Sequence, residues 1–185
     1  MSTEPGSRSR LAFRPPPAPG EAGEPGDAPL RLDPVRDGLL YIPDTANAAA
    51  PVLVFFHGAG GTGRRELRVV MAAAGRCDAD FGRLAAGGVS DGASYALSIG
   101  LTNGDLFEAV IAFSPGFIAP GELIGRPRIF VSHGVTDPIL PIDGCSRRIV
   151  PLLKEAGYDV TYREFDGGHT VPPTVSDEAL RWWVT

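Results

Sequence analysis

Arg83-Leu84-Ala85-Ala86-Gly87-Gly88-Val89-Ser90-Asp91-Gly92-Ala93-Ser94-Tyr95-Ala96-Leu97 is the stretch that decides the fold. Its first seven residues are a short apolar run that predicts a strand. Asp91 to Leu101 predicts a helix with Ala93, Tyr95, Ala96 and Leu97 available for packing. Ser90 stands at the joint, with a glycine two residues to either side. In a chain of this composition a G-x-S-x-G arises by chance about one time in six, so the spacing alone says little. The strand–turn–helix setting says more. A tight turn that presents a serine at its tip needs neighbours without side chains, and the helix that follows aims its amides and dipole at developing negative charge. The competing reading is a glycine-rich turn whose serine only caps the helix.

Outward from this stretch the alternation repeats. Upstream, Gly38–Ile42 reads as a strand closed by Pro43-Asp44, and Val52–Phe56 as a strand buried on both faces. The latter runs into His57-Gly58-Ala59-Gly60-Gly61, after which Thr62 to Ala74 has helical spacing with Leu67, Val70 and Met71 on one stripe. Downstream, strands are expected at 109–113, 129–132 and 160–165, and helices at 146–156 and 177–184. Strands alternating with helices predict an α/β fold, a mostly parallel sheet with helices on both faces. Reactive groups in such folds gather on loops at the carboxyl ends of the strands.

A serine hydroxyl needs a base to take its proton, and the chain has three histidines. His57 and His133 each end a strand and precede glycine, positions suited to bracing a loop. His169, in Asp166-Gly167-Gly168-His169-Thr170 between the last strand and the last helix, can reach over the turn and is the expected base. The base needs an acid to fix its tautomer. Asp137 lies close to the end of strand 129–132 and is stiffened by Pro138, whereas Asp143 lies further on and reads as a helix cap. The resulting order is Ser90, Asp137, His169. An oxyanion would be held by the backbone N–H of Asp91, directly after the serine, and by that of Ala59 in the loop after strand 52–56. That loop is not read as a phosphate cradle, because no Gly-Lys-Ser/Thr follows it.

The 185 residues carry 17 basic and 22 acidic side chains, a net charge of −5, which gives nucleic-acid binding no electrostatic support. Seven of the 18 prolines fall in residues 1–29, so residues 1–30 are expected to be a disordered tail and 31–185 a single domain. Two cysteines make no disulfide framework. With neither a secretory signal nor an apolar run of about 20 residues, the expectation is a cytoplasmic protein without a membrane span. No metal or cofactor is expected, and composition leaves the oligomeric state open.

Taken together, the segments 52–61 and 88–92, the His-Gly-x-x-Asp ending at Asp137 and the Gly-Gly-His ending at His169 resemble the phospholipase/carboxylesterase branch of the α/β-hydrolases, the acyl-protein thioesterase-like enzymes. The resemblance covers roughly residues 37–184. It implies hydrolysis of a small-molecule ester or thioester through an acyl-enzyme, with Ser90, Asp137 and His169 as triad and Ala59 and Asp91 as oxyanion amides. The family normally places a helix, a strand and a second helix between the oxyanion loop and the elbow strand. Here only 26 residues separate Gly61 from Gly88, short of the roughly 30 or more that one βαβ unit takes. The expected fold is therefore a truncated α/β-hydrolase-like sheet, with strand 38–42 pairing elsewhere. Helix 62–74 would either cross to the other sheet face or make a rare left-handed connection. A non-catalytic relative, and a peptidase or depolymerase on the same triad, remain open beside the esterase.

Overall fold

A computed structural model describes residue 11 and residues 25–31, 38–42, 50–61 and 79–185. The elements are β1 (Gly26–Pro29), β2 (Leu39–Ile42), β3 (Ala50–Phe56), β4 (Ala79–Val89), α1 (Asp91–Thr102), β5 (Ala109–Phe113), β6 (Arg128–Gly134), α2 (Ser146–Glu155), β7 (Val160–Phe165) and α3 (Pro173–Val184). Strands β3 to β7 form one parallel sheet in chain order. Chain order and parallel pairing together constrain the helices: α1 and α2 both lead one step along the sheet in the same direction, so a common hand puts them on the same face. They are found there.

The period of two along each strand separates the two sides of the core. Leu84, Ala86, Val110, Ala112, Ile129 and Val131 pack with α1 and α2. Their alternates Ala85, Ile111, Phe113 and Phe130 pack with Val175, Ala179, Leu180 and Trp183 of α3. Burying both faces is why these strands read as unbroken apolar runs. Among the described residues β3 is an edge of the sheet, bonded to β4 alone, with Val52 and Phe56 turned to one core and Leu53 and Phe55 to the other.

Several expectations need correction at this level. Gly26–Pro29, inside the stretch expected to be tail, pairs antiparallel with β2 in a separate two-stranded sheet, and all four of its residues are exposed. Strand pairing satisfies backbone groups and asks for no apolar pattern, so this segment carried no signal. Strand 39–42 does pair away from the main sheet, as the short 62–87 interval suggested. The approach to the serine starts at Ala79, not Arg83, with the register against β3 slipping between Pro51 and Val52. Helix α3 starts four residues early because Pro173 occupies its first turn, where a missing N–H costs nothing. The predicted helix 62–74, and with it the question of its sheet face, lies outside the described residues. Among the described residues no helix is long and apolar enough to cross a membrane.

Candidate active site

Ser90 follows β4 with φ 58° and ψ −122°, a conformation that a non-glycine residue holds only when its surroundings enforce it. The enforcement is visible. Its N–H donates to the Phe113 carbonyl (2.9 Å), and its carbonyl accepts the Ser94 N–H at 3.1 Å and the Ser94 hydroxyl at 3.2 Å. A Cβ on Gly88 would fall 2.3 Å from the backbone of Gly92, and one on Gly92 would fall 2.2 Å from the Phe56 carbonyl oxygen. Neither glycine can be replaced without moving main chain. Ser90 sits at the helix N-cap position, yet its side chain makes no capping bond, so the cap reading does not account for the hydroxyl.

The β3 loop lies against this elbow. A Cβ on Gly58 would be 3.2 Å from Cβ of Ser90. The loop turns tightly through Gly58–Gly61, closed by the Gly61 N–H to Gly58 carbonyl bond (2.9 Å), with Gly60 at φ 68° supplying the left-handed corner. Ala59, expected to supply an oxyanion amide, is the exposed second residue of that turn. Asp91 is the first residue of α1, where helical N–H groups have no acceptor within the helix.

Asp137 and His169 come from different loops and meet. The loop after β6 is stitched to the loop after β7 by Val135 N–H to Phe165 carbonyl and Thr136 N–H to Gly167 carbonyl, both 3.0 Å. His169 Nδ1 is 2.6 Å from Asp137 Oδ2, while Asp137 Oδ1 accepts the N–H groups of Ile139 and Leu140, each at 2.9 Å. Burial alone would push the Asp137 carboxyl up. The hydrogen bond from His169 and the N–H groups of Leu140 and Ile139 outweigh it and hold the group below the usual carboxylate range. Because the Asp137 carboxylate can only accept, His169 carries its proton on Nδ1, which leaves Nε2 as the ring's acceptor. Among the described residues no hydrogen bond joins Ser90 Oγ to the His169 ring.

The other candidates separate cleanly. His133 is fully buried, its Nε2–H donating to the Leu140 carbonyl and its Nδ1 accepting from the Ser146 hydroxyl, both at 2.7 Å. It braces the loop that carries Asp137, whose Oδ2 lies 3.3 Å from Nε2. His57 is exposed and bonds the neighbouring Gly58 carbonyl. Asp143 is not a helix cap: Cys145 holds that position without a side-chain bond, and the Asp143 carboxylate pairs on the surface with Arg147 at 2.8 Å. Ser94, not among the candidates drawn from the sequence, is fully buried, whereas Tyr95, expected to pack, is 55% exposed with its ring edge-on to Phe56. The missed signal was Ser90, Ser94, Ser98 and Thr102, hydroxyls every fourth residue down one helix face.

Solved structures share this arrangement of elements. The esterase PE8 superposes with a TM-score of 0.60 at 20% identity, covering 76% of this chain and 94% of that one. A Bacillus cereus carboxylesterase gives 0.63 at 18% identity, covering 76% and 90%. The fold is that of an α/β-hydrolase. YahD, in a structure with malic acid, matches this α/β-hydrolase fold at 0.59 with 18% identity, covering 74% and 93%. No family model and no curated protein matches the sequence. At these identities the likeness speaks for the fold, and the chemistry rests on the residues.

Proposed function

We propose that the chain is a serine hydrolase of small carboxylic esters or thioesters, with Ser90 as nucleophile, His169 as general base and Asp137 as the acid that orients it. The observation that carries this reading is the 2.6 Å bond between His169 Nδ1 and Asp137 Oδ2, on a fold that also holds Ser90 at a strained strand-to-helix corner. In the first half-reaction His169 Nε2 takes the Ser90 proton as Oγ attacks the ester carbonyl. The backbone N–H groups of Ala59 and Asp91 receive the oxyanion, and the α1 dipole favours the same charge. The tetrahedral intermediate expels the alcohol or thiol, which leaves with the proton from His169. Water, deprotonated by the same nitrogen, then hydrolyses the acyl-Ser90 ester. The shared fold of the esterase PE8 and the B. cereus carboxylesterase supports this class of reaction.

A fluorophosphonate probe tests it, because the probe phosphonylates a serine only where base and oxyanion donors are assembled. Labelling of the wild type that vanishes in Ser90→Ala, together with turnover of a short p-nitrophenyl ester, supports the reading. A second reading, a non-catalytic protein on the same fold, is favoured by the short 62–87 interval and by the absence of a Ser90 Oγ to His169 bond among the described residues. A folded wild type that takes no label would establish it.

A further inference from the structure

Helix α1 carries a ladder of hydroxyls that bonds in two directions. Each one donates to the carbonyl four residues back: Ser94 Oγ to Ser90 (3.2 Å), Ser98 Oγ to Ser94 (2.7 Å) and Thr102 Oγ1 to Ser98 (3.0 Å). The first two also accept from the loop that leaves β5. Ser94 Oγ receives the N–H of Gly116 (2.9 Å) and of Phe117 (3.3 Å), and Ser98 Oγ receives the N–H of Ala119 (2.9 Å). A serine hydroxyl offers one proton and two lone pairs, so Ser94 is used to capacity. It is also 0% exposed, so no water can stand in for it.

The loop it holds is strained and well placed. It opens at Ser114, a non-glycine residue at φ 52° whose N–H bonds the Ser132 carbonyl. Gly116 then lies against Leu140, close enough that a Cβ would be 3.2 Å from Leu140 Cδ2. Leu140 in turn donates its N–H to Asp137 and gives its carbonyl to His133. Ser94 thus bonds the carbonyl of the proposed nucleophile on one side. On the other it holds a loop in contact with the residue that fixes the proposed acid.

We infer that Ser94 is a positioning residue: its hydroxyl locks the strained Ser90 peptide to the 116–117 loop and so sets Ser90 in register with the Asp137 loop. This rests on the serine hydrolase reading, and Ser98 supplies the control. Ser98 makes the same kinds of bond one turn further along but does not touch Ser90. In Ser94→Ala, amide hydrogen exchange at Gly116 and Phe117 is expected to accelerate at least tenfold, and the second-order rate of fluorophosphonate labelling to fall about tenfold. In Ser98→Ala, exchange is expected to rise at Ala119, with labelling within twofold of wild type. Unchanged exchange in Ser94→Ala would overturn the lock. Faster exchange with labelling no slower than in Ser98→Ala would reduce Ser94 to a structural staple and overturn the positioning role. A wild type that takes no label sinks the hydrolase reading and this role with it, whereas a labelled wild type with an equally reactive Ser94→Ala sinks this role alone.

Discussion

Both oxygens of the Asp137 carboxylate are engaged, Oδ1 by two backbone N–H groups and Oδ2 by His169, and that saturation makes the side chain irreplaceable by its amide. An asparagine at 137 must choose. With its oxygen toward the Ile139 and Leu140 amides, its NH2 faces His169 Nδ1, which then has to accept, and the ring proton moves to Nε2, the nitrogen that should take the serine proton. With the amide flipped, its NH2 points at two backbone donors in a buried site, where unsatisfied groups are costly. The first arrangement is the cheaper. Asp137→Asn is therefore expected to lower kcat about 10³- to 10⁴-fold with KM little changed, read from steady-state ester hydrolysis. A rise in KM alone would show that Asp137 serves substrate binding instead. The sequence pointed to Asp137 through its nearness to a strand end and the stiffening Pro138. It could not show that Asp143 would be drawn away by Arg147, because that pairing depends on where helix α2 begins.

Helix α3 follows the His169 loop, so whatever docks α3 also anchors the proposed base. Its apolar face is pinned by Trp183, whose indole N–H donates to Glu108 Oε1 at 2.9 Å. Its C-terminal carbonyls face two arginines, one within β4 and one at the start of β6. Arg83 bonds the Val184 carbonyl (2.9 Å), and Arg128 reaches those of Trp182 and Trp183 (3.4 and 3.2 Å) with its guanidinium 4.9 Å from the Trp182 ring centroid. A cation at this end complements the helix dipole, and the ring adds a cation–π contact, each worth about 0.3–1 kcal/mol at partly exposed sites. Arg128→Met keeps the alkyl stem and should cost about 1–2 kcal/mol by urea denaturation, with Arg128→Lys intermediate; equal stability of all three would remove the clamp from the account. Elements of this kind differ in how far the sequence announces them. Strands β5 and β7 end where expected because each stops at turn residues, Ser114-Pro115-Gly116 after β5 and Asp166-Gly167-Gly168 after β7. β1 and the first residues of β4 were missed because their pairing is a matter of backbone and register. Ser94 was missed because a buried serine on a helix reads as filler until the loop it holds is seen.

At the scale of the whole molecule, two buried titratable groups behind the proposed active centre make stability depend on pH in two separate windows. His133 lies among Asp137, the Leu140 carbonyl, Ser146 and, further off, His169. Burial pushes its imidazole below the ordinary value, and the Leu140 bond and the Asp137 charge pull the other way without overcoming it. A histidine whose folded value is depressed contributes stability that is complete above its unfolded value of about 6.5 and is lost as pH falls toward the folded value. Asp137 is depressed as well, so its contribution is complete above about pH 4 and is lost only below that. Acid should therefore weaken the fold first through His133 and then through Asp137, each at up to about 1.4 kcal/mol per pH unit where the unfolded chain holds one more proton. His133→Gln can still donate to the Leu140 carbonyl but has no charge to acquire. Urea denaturation at intervals from pH 7.5 to 4.5 is expected to give a falling midpoint for the wild type. For His133→Gln it should give a lower but nearly flat one, with the two lines converging toward acid. Parallel lines would mean that His133 titrates alike in the folded and unfolded chain, so the buried brace behind Asp137 would not be the source of acid sensitivity.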